Sequence, residues 1–182
     1  MIESQEKISE DVLARAKKIK CVVFDVDGVM TDGGLGLGDD GQEYKNFHSL
    51  DGLGMKLLKA SGVDMAIITG RTSKVVTKRA ESTGIAHFYQ GVDNKLEAFN
   101  DLMHKMGLQA DEMAFVGDDV VDAPAMLRCG LAITVPTGHW LLKPHAHYIT
   151  AAPAGRGAVR EVCELIMSAQ GTLDGQLAPY LQ

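Results

Sequence analysis

The chain has 182 residues, 46% of them apolar, and a formal charge of −6 from 18 basic and 24 acidic side chains. That length suits a single α/β domain, 1–182, with a sizeable core. The acidic balance argues against nucleic acid as a partner, because such surfaces are basic. Cys21, Cys129 and Cys163 are scattered without metal-type spacing and read as reduced thiols of a cytoplasmic protein. Residues 1–20 are charged and lack the apolar centre of a signal peptide. No apolar stretch approaches the roughly 20 residues of a membrane span, so no membrane partner is expected.

In chain order, Ser9 can cap a helix over 9–18, with Glu10 and Asp11 in its first turn. A buried strand follows over 20–26, running into Asp25 and Asp27. The glycine-rich stretch 31–54 holds Asp39-Asp40-Gly41, a turn signal between two short apolar runs, and predicts a β-hairpin insertion over about 33–48. From residue 54 the pattern alternates. Helices are predicted over 55–60, 73–82, 93–106, 120–128 and 157–169. Strands are predicted over 63–68, 87–89, 113–116, 131–135 and 147–150. This alternation implies a doubly wound, Rossmann-like parallel sheet with helices on both faces and no large cap domain. The tail, 171–182, has no clear periodicity and reads as a flexible terminus or as an arm that orders against something.

Ligands of such sheets bind at the carboxyl ends of the strands. Three of these ends are polar. The first carries Asp25 and Asp27, which would share one side if the strand continued, with Gly28 free to turn the chain away. The second carries Thr69-Gly70-Arg71. A later one carries Gly117-Asp118-Asp119, with Asp122 one helical turn on. Lys95 sits at the start of an intervening helix. Buried carboxylates call for a partner, and all-oxygen donors favour Mg²⁺ over zinc. Other features read blandly: His139, His145 and His147 as a surface or interface loop around Trp140, Arg156 and Arg160 as a helix start, and the nine methionines as core filler.

The D-x-D-G pair, the strand-ending Thr-Gly-Arg, the lysine and G-D-D-x-x-D, in this order from Asp25 to Asp122, resemble the four motifs of the haloacid dehalogenase-like phosphatases. The resemblance implies that Asp25 attacks phosphorus to form an aspartyl-phosphate and that Asp27 acts as general acid and base. It implies that Thr69 and Lys95 bind the phosphoryl group. Mg²⁺ would then sit between Asp25, Asp118 and the backbone carbonyl of Asp27, with Asp119 or Asp122 orienting Lys95 or a metal-bound water. Neither 31–54 nor 71–95 has room for a cap, which implies the capless subgroup. The segments Lys45-Asn46-Phe47, Asp51-Gly52 and Gly155-Arg156-Gly157 resemble a tetrameric phosphatase of an eight-carbon sugar acid in the lipopolysaccharide pathway. There, neighbouring subunits complete each other's sites. That likeness marks Lys45, Phe47, His48 and Asp51 as substrate-region residues, together with Gly28, Gly70, Arg71 and Arg79. Leu50 stands where many relatives have arginine, which opens the alternative of a nine-carbon sugar-acid phosphate. A phospho-accepting receiver domain is a further alternative, but receivers place an acidic pair at the first strand and the phosphorylated aspartate on a later one, whereas here D-x-D comes first and G-D-D late.

Overall fold

The computed structural model describes residues 8–181; the charged, leaderless reading of residues 1–7 falls outside that range. Ser9 accepts a hydrogen bond from the Val12 N–H and starts α1 (Glu10–Ala16). The fully buried strand β1 (Cys21–Phe24) comes next. The insertion is a two-stranded antiparallel hairpin, β2 (Gly36–Leu37) and β3 (Glu43–Tyr44). Then follow α2 (Ser49–Ala60), β4 (Asp64–Thr69), α3 (Lys74–Thr83), β5 (His87–Gln90) and α4 (Lys95–Met106). The second half holds β6 (Met113–Gly117), α5 (Ala123–Arg128), β7 (Leu131–Thr134), β8 (Tyr148–Ile149), α6 (Ala158–Ala169) and α7 (Leu173–Leu177).

Six strands form one sheet in the order β5-β4-β1-β6-β7-β8, with every pair parallel. The chain winds outward from β1 to β5, then crosses back to β6 on the other side of β1. The strand order therefore reverses between β1 and β6, the crevice where open α/β sheets bind ligands. Alternation along the strands divides the core. Val22 and Phe24 face α1, α2, α3 and α6, whereas Cys21 and Val23 face α4 and α5. The three cysteines are buried and free, as expected. Among the described residues, no helix is long and apolar enough to cross a membrane.

Four elements differ from expectation. First, β1 stops at Phe24 and the chain enters a wide turn over Val26–Met30, with Gly28 at φ 88°. Asp25 and Asp27 therefore do not lie on one strand face. Second, α2 begins at Ser49, six residues earlier than predicted. The helix runs through Gly52 and Gly54, which permit close approach: a Cβ at Gly54 would lie 2.7 Å from Arg160 Cδ on α6. Third, the helix expected over 120–128 opens with a tighter turn over Val120–Asp122, because the Asp122 carboxylate folds back onto the backbone. Fourth, the tail is helical through α7 and a final turn over Ala178–Leu181, with Leu173 and Leu177 packed against the core.

Candidate active site

The Asp25 N–H donates to the Val116 carbonyl at 3.0 Å, extending the β1–β6 pairing to the residue that enters the crevice. Lys95 opens α4, whose first turn is capped by the Asn94 side chain. Its Nζ lies 2.9 Å from Asp25 Oδ1 and 2.6 Å from Asp122 Oδ1. Both Asp25 and Lys95 are buried, at 6% and 4% exposure, and Asp122 is fully buried. Asp122 Oδ2 accepts the N–H groups of Asp118 and Asp119, at 3.0 and 3.1 Å. This fold-back needs Gly117, where a Cβ would lie 2.5 Å from the Asp122 Cβ. The Asp118 carbonyl accepts the His139 N–H at 2.7 Å, and Thr134 Oγ1 donates to the Gly117 carbonyl at 2.8 Å. The β6 end is thus fixed on both sides.

One carboxylate oxygen from each of Asp25, Asp118 and Asp122 lies within 4.8 Å of the others. Three carboxylates facing one ammonium leave an excess of negative charge in a dry place. Burial, Asp122 and the opposing pull of Lys95 together set the Asp25 carboxyl at about 6. Burial and the neighbouring Asp25, Asp122 and Asp119 push Asp118 to about 7. Burial works to lower Lys95, but Asp25 and Asp122 outweigh it and hold the ammonium above its usual value. Asp122 spends both oxygens on Lys95 and the backbone, so Asp118 and the second oxygen of Asp25 remain to face a cation. Such an all-oxygen, net-negative group suits a divalent cation of the Mg²⁺ kind.

Asp27 faces other partners. Lys45 Nζ donates to Asp27 Oδ1 at 2.5 Å and lies 3.1 Å from Glu43 Oε1. Arg71, half exposed, has Nε 3.8 Å from Asp27 Oδ2 and a terminal nitrogen 3.5 Å from Glu43. The Ser73 hydroxyl, Lys45 and Arg71 hold the Glu43 carboxyl below the usual carboxylate range. Thr69 is buried at the end of β4, one position beyond the pairing level of Asp25. Gly70 follows it into the Arg71 turn, where a Cβ would lie in ordinary contact with the Val92 carbonyl, at 3.6 Å.

Phe47, His48, Asp51 and Arg79 form a separate group beside the start of α2. Arg79 donates to the His48 carbonyl at 3.0 Å and stacks on the Phe47 ring at 5.2 Å. The buried Asp51 accepts the Arg160 N–H at 2.8 Å and so caps α6, whose Gly157 start offers no side chain. Elsewhere, a cleft of about 760 Å³ opens at the amino ends of the strands. Its exposed charges pair with one another, Lys20 with Glu112 and Lys18 with Asp111.

Comparisons with known proteins place the chain among known enzymes. The family model for haloacid dehalogenase-like hydrolases matches residues 42–130. The 3-deoxy-D-manno-octulosonate 8-phosphate phosphatase KdsC of Escherichia coli K12 is 47% identical over 167 residues, 92% of this chain and 89% of that protein. The chain belongs to the KdsC family of haloacid dehalogenase-like phosphatases. Among solved structures, the Yersinia pestis 3-deoxy-D-manno-octulosonate 8-phosphate phosphatase superposes with TM-score 0.90 at 46% identity, covering 91% of this chain and 90% of that one. The Moraxella catarrhalis phosphatase, solved in complex with magnesium ion, phosphate ion and a KDO molecule, gives TM-score 0.92 at 43% identity, covering 93% and 98%. Membership in a phosphatase family decides against the receiver alternative.

Within this KdsC-family fold, sequence reasoning missed Glu43, Ser73, Thr134 and the His139 backbone. Each acts through a contact that topology creates, and none belongs to a recognisable local pattern. The Asp-Gly-Gln-Glu turn of the hairpin was the only nearby signal for Glu43.

Proposed function

We propose that this chain is a Mg²⁺-dependent phosphomonoesterase that hydrolyses 3-deoxy-D-manno-octulosonate 8-phosphate to the free sugar acid and inorganic phosphate, in lipopolysaccharide biosynthesis. The observation that carries the reading is the buried Asp25–Lys95–Asp122–Asp118 group at the β1/β6 crevice of a KdsC-family fold. In this reading an Asp25 oxygen attacks phosphorus; the new O–P bond forms as the ester P–O bond breaks. Asp27 gives its proton to the departing alkoxide. Water then attacks the aspartyl-phosphate, Asp27 takes its proton, and Asp25 and phosphate are released. Lys95 holds Asp25 in place and presents a positive charge to the phosphoryl oxygens, and Thr69 adds a hydroxyl and neighbouring backbone N–H groups. Asp25, Asp118 and the Asp27 carbonyl would hold Mg²⁺. When bound, that ion neutralises charge between nucleophile and phosphate and on the transferring group.

A single catalytic unit, working as a cytoplasmic homotetramer, is consistent with a hairpin that turns Leu35, Leu37 and Tyr44 to solvent. Gly28, Gly70, Arg71 and Lys45 border the carboxylates directly. Phe47, His48, Asp51 and Arg79 would join the substrate region through a neighbouring subunit. Leu50 is exposed and supplies no cation for a sugar carboxylate, which favours keeping the nine-carbon acid phosphates as a second reading. The test compares kcat/KM for the eight- and nine-carbon phosphates under Mg²⁺, alongside the mass in solution. Faster turnover of the eight-carbon ester supports the proposal; faster turnover of the nine-carbon ester replaces the substrate and keeps the chemistry.

A further inference from the structure

Lys45 follows β3 directly, and its side chain has no solvent exposure. A buried ammonium persists only when paired, and here two carboxylates flank it: Asp27 Oδ1 at 2.5 Å and Glu43 Oε1 at 3.1 Å. The backbone under Asp27 is a turn between non-helical dihedrals, φ −77° at Asp27 and φ 88° at Gly28. Such a turn does not itself lock a side chain. The two oxygens of Asp27 meet unequal surroundings. Oδ1 is clamped by Lys45, which can only donate. Oδ2 faces the half-exposed Arg71 at 3.8 Å, beyond hydrogen-bond distance.

We infer that Lys45, itself held by Glu43, is a positioning residue that fixes the Asp27 carboxyl with Oδ1 clamped and Oδ2 presented to the leaving group. The inference rests on the reading of Asp27 as general acid. It makes the hairpin part of the proton-transfer apparatus: β3 supplies both Glu43 and the attachment of Lys45. A hairpin of two residues per strand has little stability of its own. Its docking and the aim of Asp27 therefore depend on the same charged cluster.

A structural role and a positioning role separate by leaving group. An alkyl ester needs a proton at its departing oxygen, whereas p-nitrophenolate departs without one. We would measure kcat and KM for full-length protein with Mg²⁺ on 3-deoxy-D-manno-octulosonate 8-phosphate and on p-nitrophenyl phosphate. Wild type, Lys45→Met, Lys45→Arg, Glu43→Gln and Asp27→Asn are compared, with circular dichroism to confirm folding. The inference expects Lys45→Met to lose roughly 30- to 100-fold in kcat on the alkyl ester and about threefold on the aryl ester. KM should change little, Lys45→Arg should restore most of the loss, and Asp27→Asn should show the same selectivity more strongly. If Lys45→Met does not fold, Glu43→Gln carries the test, with a selective loss of about fivefold or more. Equal loss on both esters, or none, overturns the inference and leaves Lys45 as a hairpin anchor. Asp27→Asn without selectivity overturns the reading of Asp27 as the acid, and the inference with it.

Discussion

Gly28 stands against the carboxylate of Asp118: a Cβ at Gly28 would lie 2.0 Å from Asp118 Oδ2. The turn after β1 and the end of β6 therefore meet at a point where no side chain fits. Gly28 also carries φ 88°, a conformation that L side chains rarely adopt. Gly28→Ala should displace Asp118, abolish measurable Mg²⁺ binding and lower activity more than ~100-fold. The strain should cost about 1–3 kcal/mol, so the protein still folds. Calorimetric Mg²⁺ titration alongside thermal melting checks both parts. Normal Mg²⁺ affinity in the variant would refute the close approach.

Lys95 pairs with two buried carboxylates at once. Lys95→Met should leave Asp25 and Asp122 facing each other unpaired and destabilise the metal-free protein by about 3–5 kcal/mol. Added Mg²⁺ should recover part of that loss. Melts with and without chelator measure it, and a destabilisation that is small in both conditions would contradict the geometry.

Protons and metal compete for the same oxygens. Asp118 at about 7 and Asp25 at about 6 both lie above their ordinary value of 3.8. A raised carboxyl pKa means the folded state binds more protons than the unfolded one between about 4 and 7. Metal-free stability should therefore fall as pH rises through that window. Conversely, apparent Mg²⁺ affinity should weaken as pH drops below 7, by up to ~10-fold per pH unit for one competing proton. Titrations at pH 6, 7 and 8 read the slope. A pH-independent affinity would mean that Asp118 and Asp25 do not hold the ion.

Gly54 decides how closely α2 approaches α6. Alanine there gains about 1 kcal/mol in helix propensity. It also places a Cβ 2.7 Å from Arg160 Cδ and 3.1 Å from Arg160 Cα. The backbone contact cannot yield as a side chain can, and overpacking costs about 1–3 kcal/mol. The net change should be a destabilisation of up to about 2 kcal/mol, seen as a lower Tm by as much as several degrees. A rise in Tm would show that the interface is looser than described.

The parallel sheet, its strand ends and the carboxylate group were legible because alternating apolar runs report burial and strand order reports topology. Asp25 and Asp118 stood out because charged residues at buried strand ends need partners, and Lys95, at a helix start, stood out through the family resemblance. What escaped was decided by distant contacts. The early start of α2 escaped because the close neighbours of Gly52 and Gly54, Arg79 and Arg160, come from other helices. The resemblance places Asp51 in the substrate region, but that its carboxylate also caps α6, more than a hundred positions away, is a contact no local pattern announces. Asp25 and Asp27 looked like one face of a strand, but the turn at Gly28 sends them to Lys95 and Lys45 respectively.

In the proposed mechanism Asp25 does covalent, Mg²⁺-assisted phosphoryl chemistry on a phosphorylated sugar acid. The decisive experiment is phosphate release from 3-deoxy-D-manno-octulosonate 8-phosphate, measured with Mg²⁺ and with EDTA for wild type and Asp25→Asn. Wild type should release phosphate fast with Mg²⁺ and lose that release with EDTA, and the folded variant should show none above background. Release that survives EDTA, or that persists in Asp25→Asn, would rule the mechanism out.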